Sequence, residues 1–385
     1  MELSTCYCRN RHCARYGLAG KAARLQFAGW HRGARRWVCL DCGHWVSART
    51  GTAYAGIRTP EAIFRQGSKQ LAEGTSLRAT ARLVECDKDT VCGWLPRLGR
   101  HGRRLIEYFF RNLHLRECQL DELWTFVYKK EEQLTALEKL AGRYGDTWIW
   151  TAFDPVCKVV PAWRVGKRTL GEATRFIKVL KNRLDEHLPF FVSDDLPHYA
   201  DALLAVYGVV HTPPRRFPRG RPPGPRLEPP PGLVYAVVVK EREGGHVMRV
   251  TSQIVYGTEA QVLQCLRASP VSDTISTYGV ERNRLRRDHP STFAPTRAEG
   301  ECLFQETPLS EISTGPGLCL LSFLLSTPRP ASETGTADPY KEWQRVAQEV
   351  APGHPAMAAG LTDHVWTMDE LLSFRVPPRS IWKTS

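Results

Sequence analysis

No stretch of this chain is apolar for long enough to cross a bilayer. The longest strongly apolar run, Leu318 to Leu325, spans eight residues, where a spanning helix needs about 20. The opening, MELSTCYCRNRHC, lacks the apolar core of a secretory leader. The expectation is therefore a cytoplasmic protein with no membrane partner, held at the nucleoid if it binds DNA. The chain has 12 cysteines, and in a reducing compartment cysteines more often bind metal than pair as disulfides. Acidic residues are scarce at one end. Residues 1–115 carry 20 Lys/Arg against 8 Asp/Glu, a balance of +12 in a chain whose net charge is +13. That asymmetry suits a polyanion-binding module joined to a near-neutral remainder; a solubilising surface is the plainer reading. With 385 residues, two or three domains are expected.

The cysteines near the start are paired. Cys8 and Cys13 have four residues between them, and Cys39 and Cys42 have two. Two short thiol pairs separated by a basic loop are the layout of a Cys₄ zinc ribbon, here residues 1–58, in which Zn²⁺ is structural. Cys6 is a rival to Cys8 as first ligand. Between the pairs, Arg32, Arg35, Arg36, Trp30 and Trp37 supply charge and stacking faces for a DNA backbone. Residues 59–115 read as helices. Pro60 suits a helix start. GTSLRATARLVECDKDTVCGWL reads as helix, turn, helix, with Asp87 or Asp89 capping the second. Arg78, Lys88, Thr90 and Arg97 are then candidates to face a groove. A plain helical hairpin fits the same pattern nearly as well.

The middle of the chain presents strands in a recognisable order. QLDELWTFVYK, TWIWTAFD and KVVPAWRV are followed by a helix, TLGEATRFIKVLKNRL. Next come a strand, PFFVSDD, and a helix, HYADALLAVYG. Three successive strands, a helix, and a strand ending in carboxylate describe a ribonuclease-H-like α/β domain with a mixed sheet. Asp121 lies inside the first strand, where a carboxylate is costly without a partner. In that fold it would meet Asp194 or Asp195 at the end of the fourth strand. Glu281, opening a basic helix, would come third. Such a set would hold Mg²⁺ (or Mn²⁺), since hard cations take oxygen ligands. The plainer readings are a strand-end turn for Asp194 and Asp195 and a helix-end carboxylate for Glu281.

These residues carry a family resemblance. The stretches CARYG and CLDCG, GTSLRATARLV, QLDELWTFV, DTWIWTAFDP, AWRVGKRT, FVSDDLPHYADAL, TPPRRFPRGRP, SPVSDTISTYGVERN and PAMAAGLTDHVWTMDELLSFRVP span nearly the whole chain. Together the chain resembles bacterial transposases of the insertion-sequence-one type, which are DDE recombinases. The resemblance implies cut-and-join chemistry on the ends of a mobile element. It assigns Asp121, Asp194 and Glu281 as the catalytic metal-binding carboxylates, leaves Asp195 and Glu122 as neighbours, and implies double-stranded DNA as partner. A homodimer or larger assembly on DNA follows by analogy.

Two stretches depart from ordinary domain sequence. Residues 213–231 hold nine prolines and five arginines, which excludes a helix or inner strand. They read as an extended basic arm with Arg215, Arg216, Arg219 and Arg221 along a phosphate backbone. With the following hairpin they form an insertion, residues 212–262, within a catalytic domain of residues 116–290. After His289 the resemblance lapses and returns near Pro355. Residues 291–345 are either a divergent insertion or a frame-shifted stretch, and 346–385 a C-terminal tail. The expected whole is an α+β multidomain DNA transposase, either active or degraded in this copy by the altered segment; a non-catalytic DNA-binding protein or repressor using residues 1–115 is the alternative.

Overall fold

The computed structural model describes residues 6–127, 129–142, 144–213, 224–244, 246–271, 273–281, 359, 361–364 and 366–378. Arg215, Arg216, Arg219, Arg221 and the segment 291–345 lie outside the described residues. The chain is α+β and divides into two compact units. Among the described residues, one unit holds 6–109 and 366–378, and the other 110–281 and 359–364.

The first unit opens with a three-stranded antiparallel sheet, β1 (Leu25–His31), β2 (Ala34–Cys39) and β3 (Trp45–Ser47). Arg32 and Gly33 join β1 to β2 in a two-residue turn, both with positive φ (49° and 73°). This turn geometry matches the twist of paired strands. Ala34, Trp37, Val46, Ala48 and Cys6 form a buried cluster at this sheet. Three helices follow: α1 (Glu61–Ala72), α2 (Leu77–Leu83) and α3 (Lys88–Phe109). The Ser76 hydroxyl caps α2 by accepting the Ala79 N–H. Of the two candidate caps for α3, Asp87 serves: its carboxylate accepts the Asp89 N–H at 2.8 Å. Although Pro96 deprives α3 of one backbone bond, the helix runs for 22 residues. Its apolar stripe continues past the proline, burying Val91, Trp94, Leu95, Leu98, Leu105 and Ile106. Trp94 lies across α1 at Gly67, where a Cβ would come within 2.4 Å of the indole.

The second unit is a six-stranded mixed sheet. Its strands are β4 (Glu117–Val127), β5 (Gly145–Asp154), β6 (Val159–Gly166), β7 (Phe190–Asp194), β10 (Tyr235–Glu243) and β11 (His246–Tyr256). A separate short pair, β8 (Val209–His211) and β9 (Arg226–Glu228), lies between β7 and β10 in the chain. The order across the large sheet is β11-β10-β7-β4-β5-β6. The β4-β5-β6 meander is antiparallel, whereas β7 pairs parallel with β4 and β10 parallel with β7. This order is compatible with the ribonuclease-H-like arrangement expected from the sequence. One difference stands out. The hairpin read as part of an insertion contributes β10 to the sheet, paired with β7 from Tyr235↔Phe191 to Val238↔Asp194. Its run Tyr235, Ala236, Val237, Val238 is buried throughout, as a strand covered on both faces requires.

Helices cover both faces of this sheet. α5 (Leu170–Lys181) and α6 (Pro197–Tyr207) pack together on one side, where Trp150 meets Phe176 and Tyr199. α7 (Glu259–Ala268) covers the other through Val262, against Phe190, Val192, Ala236 and Val238. The short helix α4 (Ala136–Ala141) follows β4. No helix among the described residues is long and apolar enough to cross a membrane.

The end of the chain belongs to the first unit. A helical turn, Met368–Ser373, buries Met368, Leu371 and Leu372. The Phe374 ring packs with Tyr108, Phe109 and Trp366. The Tyr54 hydroxyl donates to Asp369, and the buried Arg375 donates to the carbonyls of Thr50 and Ala48. His101 bonds the Leu371 carbonyl at 2.8 Å. Burial pushes its pKa down to about 4, so the ring is neutral and donates. Leu371→Ala should therefore destabilise the N-terminal unit by about 2–5 kcal/mol. Hydrogen exchange should show lost protection in residues 6–109; unchanged protection would mean that the terminal segment carries no load.

Candidate metal centres

Two groups of side chains converge as metal ligands would. In the first unit, Cys8, Cys13, Cys39 and Cys42 bring their sulfurs within 4.8 Å of one another. Each thiol pair sits by a tight turn. The Cys13 N–H bonds the Asn10 carbonyl, and the Gly43 N–H bonds the Cys39 carbonyl, with φ of 69° at Gly43. The Cys8–Cys42 and Cys13–Cys39 sulfurs are 3.5 and 3.8 Å apart. Four thiolates at 2.3 Å from a tetrahedral ion would be separated by about 3.8 Å, so the donor set fits such an ion. Backbone N–H groups also point at the sulfurs: that of Arg15 reaches Cys13 at 3.3 Å, and that of His44 holds the Cys42 thiol down at about 7. Cys6 is not in the cluster. Its sulfur accepts a hydrogen bond from Arg375 within the sheet core.

In the second unit, Asp121, Glu122 and Asp194 each bring an oxygen within 4.8 Å of the others. β4 and β7 are parallel neighbours, paired as far as Leu120↔Ser193, so their next residues adjoin. Pleat alternation sends successive side chains of β4 to opposite faces. Glu122 faces α6, where its oxygens accept from Tyr199 Oη (3.0 Å) and from Arg168 Nη2 (2.5 Å). Arg168 itself lies over the Trp148 ring. Both oxygens of Glu122 are thus engaged by protein donors. Asp194 differs: its Oδ1 is buried and accepts no hydrogen bond among the described residues. Burial raises the Asp194 pKa, Arg168 and Lys240 oppose the rise, and Glu281 and Asp195 add to it. A buried carboxylate oxygen without a donor, beside other carboxylates, fits a cation.

Glu281 is not one of the three grouped carboxylates; its segment packs on the face opposite Glu122, and its charge adds to the rise at Asp194. Its own oxygen accepts from Lys240 Nζ and from Thr277 Oγ1. The segment carrying it is pinned by Gln119 of β4. The Gln119 amide oxygen accepts the Val280 N–H at 2.8 Å, while its nitrogen donates to the Glu117 carboxylate at 2.9 Å. Gly279 permits this approach, since a Cβ there would lie 2.8 Å from Gln119 Oε1 and 3.0 Å from Phe153. Asp195 is exposed. Gln119, Arg168 and Lys240 escaped the sequence reading. The polar alternation Glu117, Gln119, Asp121 was the one visible sign of Gln119.

The residues read as DNA contacts lie on the first unit, except those of the arm. Arg35 and Arg36 lie over the rings of Trp30 and Trp45, two largely exposed indoles. Arg78 and Thr90 are exposed, and Lys88 is half-buried in the first turn of α3. Arg97 is turned inward and donates to the Ala55 carbonyl.

No family model and no curated protein matches the chain. Among solved structures, a Mos1 transposase paired-end complex with left transposon end is similar over 38% of this chain, at 16% identity and a TM-score of 0.16. The match spans 57% of that structure's chain.

Two outcomes are expected. The full chain should retain one tightly held ion per molecule by elemental analysis, and Cys39→Ser should lose it with a large fall in Tm, because a structural thiolate site contributes about 10 kcal/mol or more to folding. Gly279→Ala should displace the Glu281 segment, and Gln119→Ala in the same chain should relieve the clash. Melting temperatures of the single and double variants measure that coupling; strict additivity would show no contact between the two positions.

Proposed function

We propose that this protein is a DNA transposase of the DDE type, which cleaves the ends of a mobile element and joins them to target DNA. The observation that supports it most is the buried Asp194 Oδ1, which accepts no hydrogen bond among the described residues and lies beside Asp121 just past the last paired residues of two parallel strands. In this reading Asp121, Asp194 and Glu281 hold Mg²⁺ or Mn²⁺. When bound, the ions supply positive charge at the attacking and leaving oxygens of a phosphodiester. The protein's own residues position that set. Gln119 ties the Glu281 segment to β4, and the Arg168–Glu122–Tyr199 cluster stiffens the far side of the same strand.

Zn²⁺ at Cys8, Cys13, Cys39 and Cys42 makes the N-terminal sheet a zinc ribbon, and α2 with α3 serves as the helix-turn-helix. The excess positive charge of residues 1–115 then binds double-stranded DNA. Arg35, Arg36, Arg78, Lys88 and Thr90 are its contacts, and the Arg215, Arg216, Arg219 and Arg221 arm follows the backbone. Two element ends held together call for a homodimer or larger assembly.

The test is strand cleavage of DNA carrying the repeats that flank the gene, with Mg²⁺. Asp121→Asn, Asp194→Asn and Glu281→Gln should each lower cleavage by at least about a hundredfold while gel-shift binding persists. Asp195→Asn should stay near the parent rate. The same assay is run with residues 290–345 replaced by the alternative-frame translation. Activity that survives Asp121→Asn would sink the catalytic assignment. Binding without cleavage in both chains would leave a DNA-binding protein alone.

A further inference from the structure

Lys240 stands on β10, two residues beyond Val238, the register partner of Asp194. Alternation places Lys240 on the same face as Ala236 and Val238, which is the face of α7. Its Nζ donates to Glu281 Oε1, and its charge is felt at Asp194, where it opposes the rise caused by burial. Thr277 Oγ1 donates to the same Glu281 oxygen at 2.5 Å. The ammonium is therefore paired with Glu281 and lowers the cost of the charge on Asp194, a carboxylate from a different element of the fold. The other cation at this cluster, Arg168, is committed to Glu122 on the opposite face. Lys240 and Glu281 form an ion pair.

A lysine in this position has two opposite effects on a divalent ion. It keeps like charges together that would otherwise repel, and it competes for the oxygen that the ion would take. A lysine stem has several rotatable bonds and a compact head, so it can leave at little cost, unlike a bidentate arginine. We propose that Lys240 is an internal counter-cation of the carboxylate cluster: it holds Glu281 beside Asp194 until a divalent ion binds, then yields that oxygen and swings free. This rests on the reading of Asp121, Asp194 and Glu281 as metal ligands, and it adds a positioning residue that gates their occupancy.

The experiment measures Mn²⁺ binding to the full-length chain, with its thiol site already loaded, by electron paramagnetic resonance of the free ion. Lys240→Met should lower the Mn²⁺ Kd by about tenfold or more, because a competing charge is gone. Lys240→Arg keeps the charge and should not tighten binding. A second measurement needs no change at Lys240. In the unmodified chain, saturating Mn²⁺ should raise the acylation rate of Lys240 severalfold, read by mass spectrometry, and should not do so in Asp194→Asn. Unchanged or weaker Mn²⁺ binding in folded Lys240→Met overturns the proposal. So does a Lys240 labelling rate indifferent to Mn²⁺, which also decides the matter if Lys240→Met fails to fold. Absence of any Asp194-dependent Mn²⁺ binding in the unmodified chain is a different failure: it removes the metal-site reading itself, and this inference with it.

Discussion

Crowding several carboxylates where β4 and β7 run side by side is the constraint on which the second unit turns. Asp121 and Glu122 are buried, and Asp194 is half-buried with one wholly buried oxygen. Negative charges gathered out of water must each be answered by a donor or a cation. The surrounding architecture reads as that set of answers. Arg168 and Tyr199 satisfy Glu122 from the α5/α6 side. Lys240 reaches Glu281 from β10, a strand that must lie in the sheet for its lysine to arrive there. Gln119 carries no charge and adds none, yet it couples a buried carboxylate, Glu117, to the segment bearing Glu281. Asp194 Oδ1 is the buried carboxylate oxygen left without a donor among the described residues.

The first unit meets a different difficulty, that of a small core. A three-stranded sheet and three helices bury limited apolar area. Two additions make up the shortfall. One is the knot of four thiols, which draws the two ends of the ribbon together. The other is the segment 366–378, which inserts Leu371, Leu372 and Phe374 against helices that begin some three hundred residues earlier. Arg375 ties the second addition to the sheet, since it donates both to Cys6 in the sheet core and to the carbonyls of Ala48 and Thr50. The buried guanidinium is thus satisfied by the backbone of the loop after β3, so the loop and the terminal segment order one another.

Much of this was legible in the sequence, for reasons that are local. Strand alternation and the helix between KVVPAWRV and PFFVSDD announced an α+β unit with a mixed sheet, because period and chain order are sequence properties. The thiol spacings announced two metal-gripping turns. Asp121 drew notice because a carboxylate in an apolar run needs an explanation. Pro96 lies inside α3, where the local rule against an interior proline yields to the apolar stripe beyond it.

By itself, then, the sequence determined which segments are strands and helices, where the charge lies, and which thiols and carboxylates stand out. Only the tertiary structure decided between Cys8 and Cys6, which lie two residues apart in sequence but in different clusters. It put β10 inside the sheet and residues 366–378 in the N-terminal unit. It also turned Lys240, Gln119 and Arg168 from ordinary polar residues into the setting of the carboxylates. The reason is physical: spacing along the chain encodes backbone geometry, whereas the partner of a buried charge is whichever donor the packing brings within hydrogen-bond reach, and that donor lies on another element.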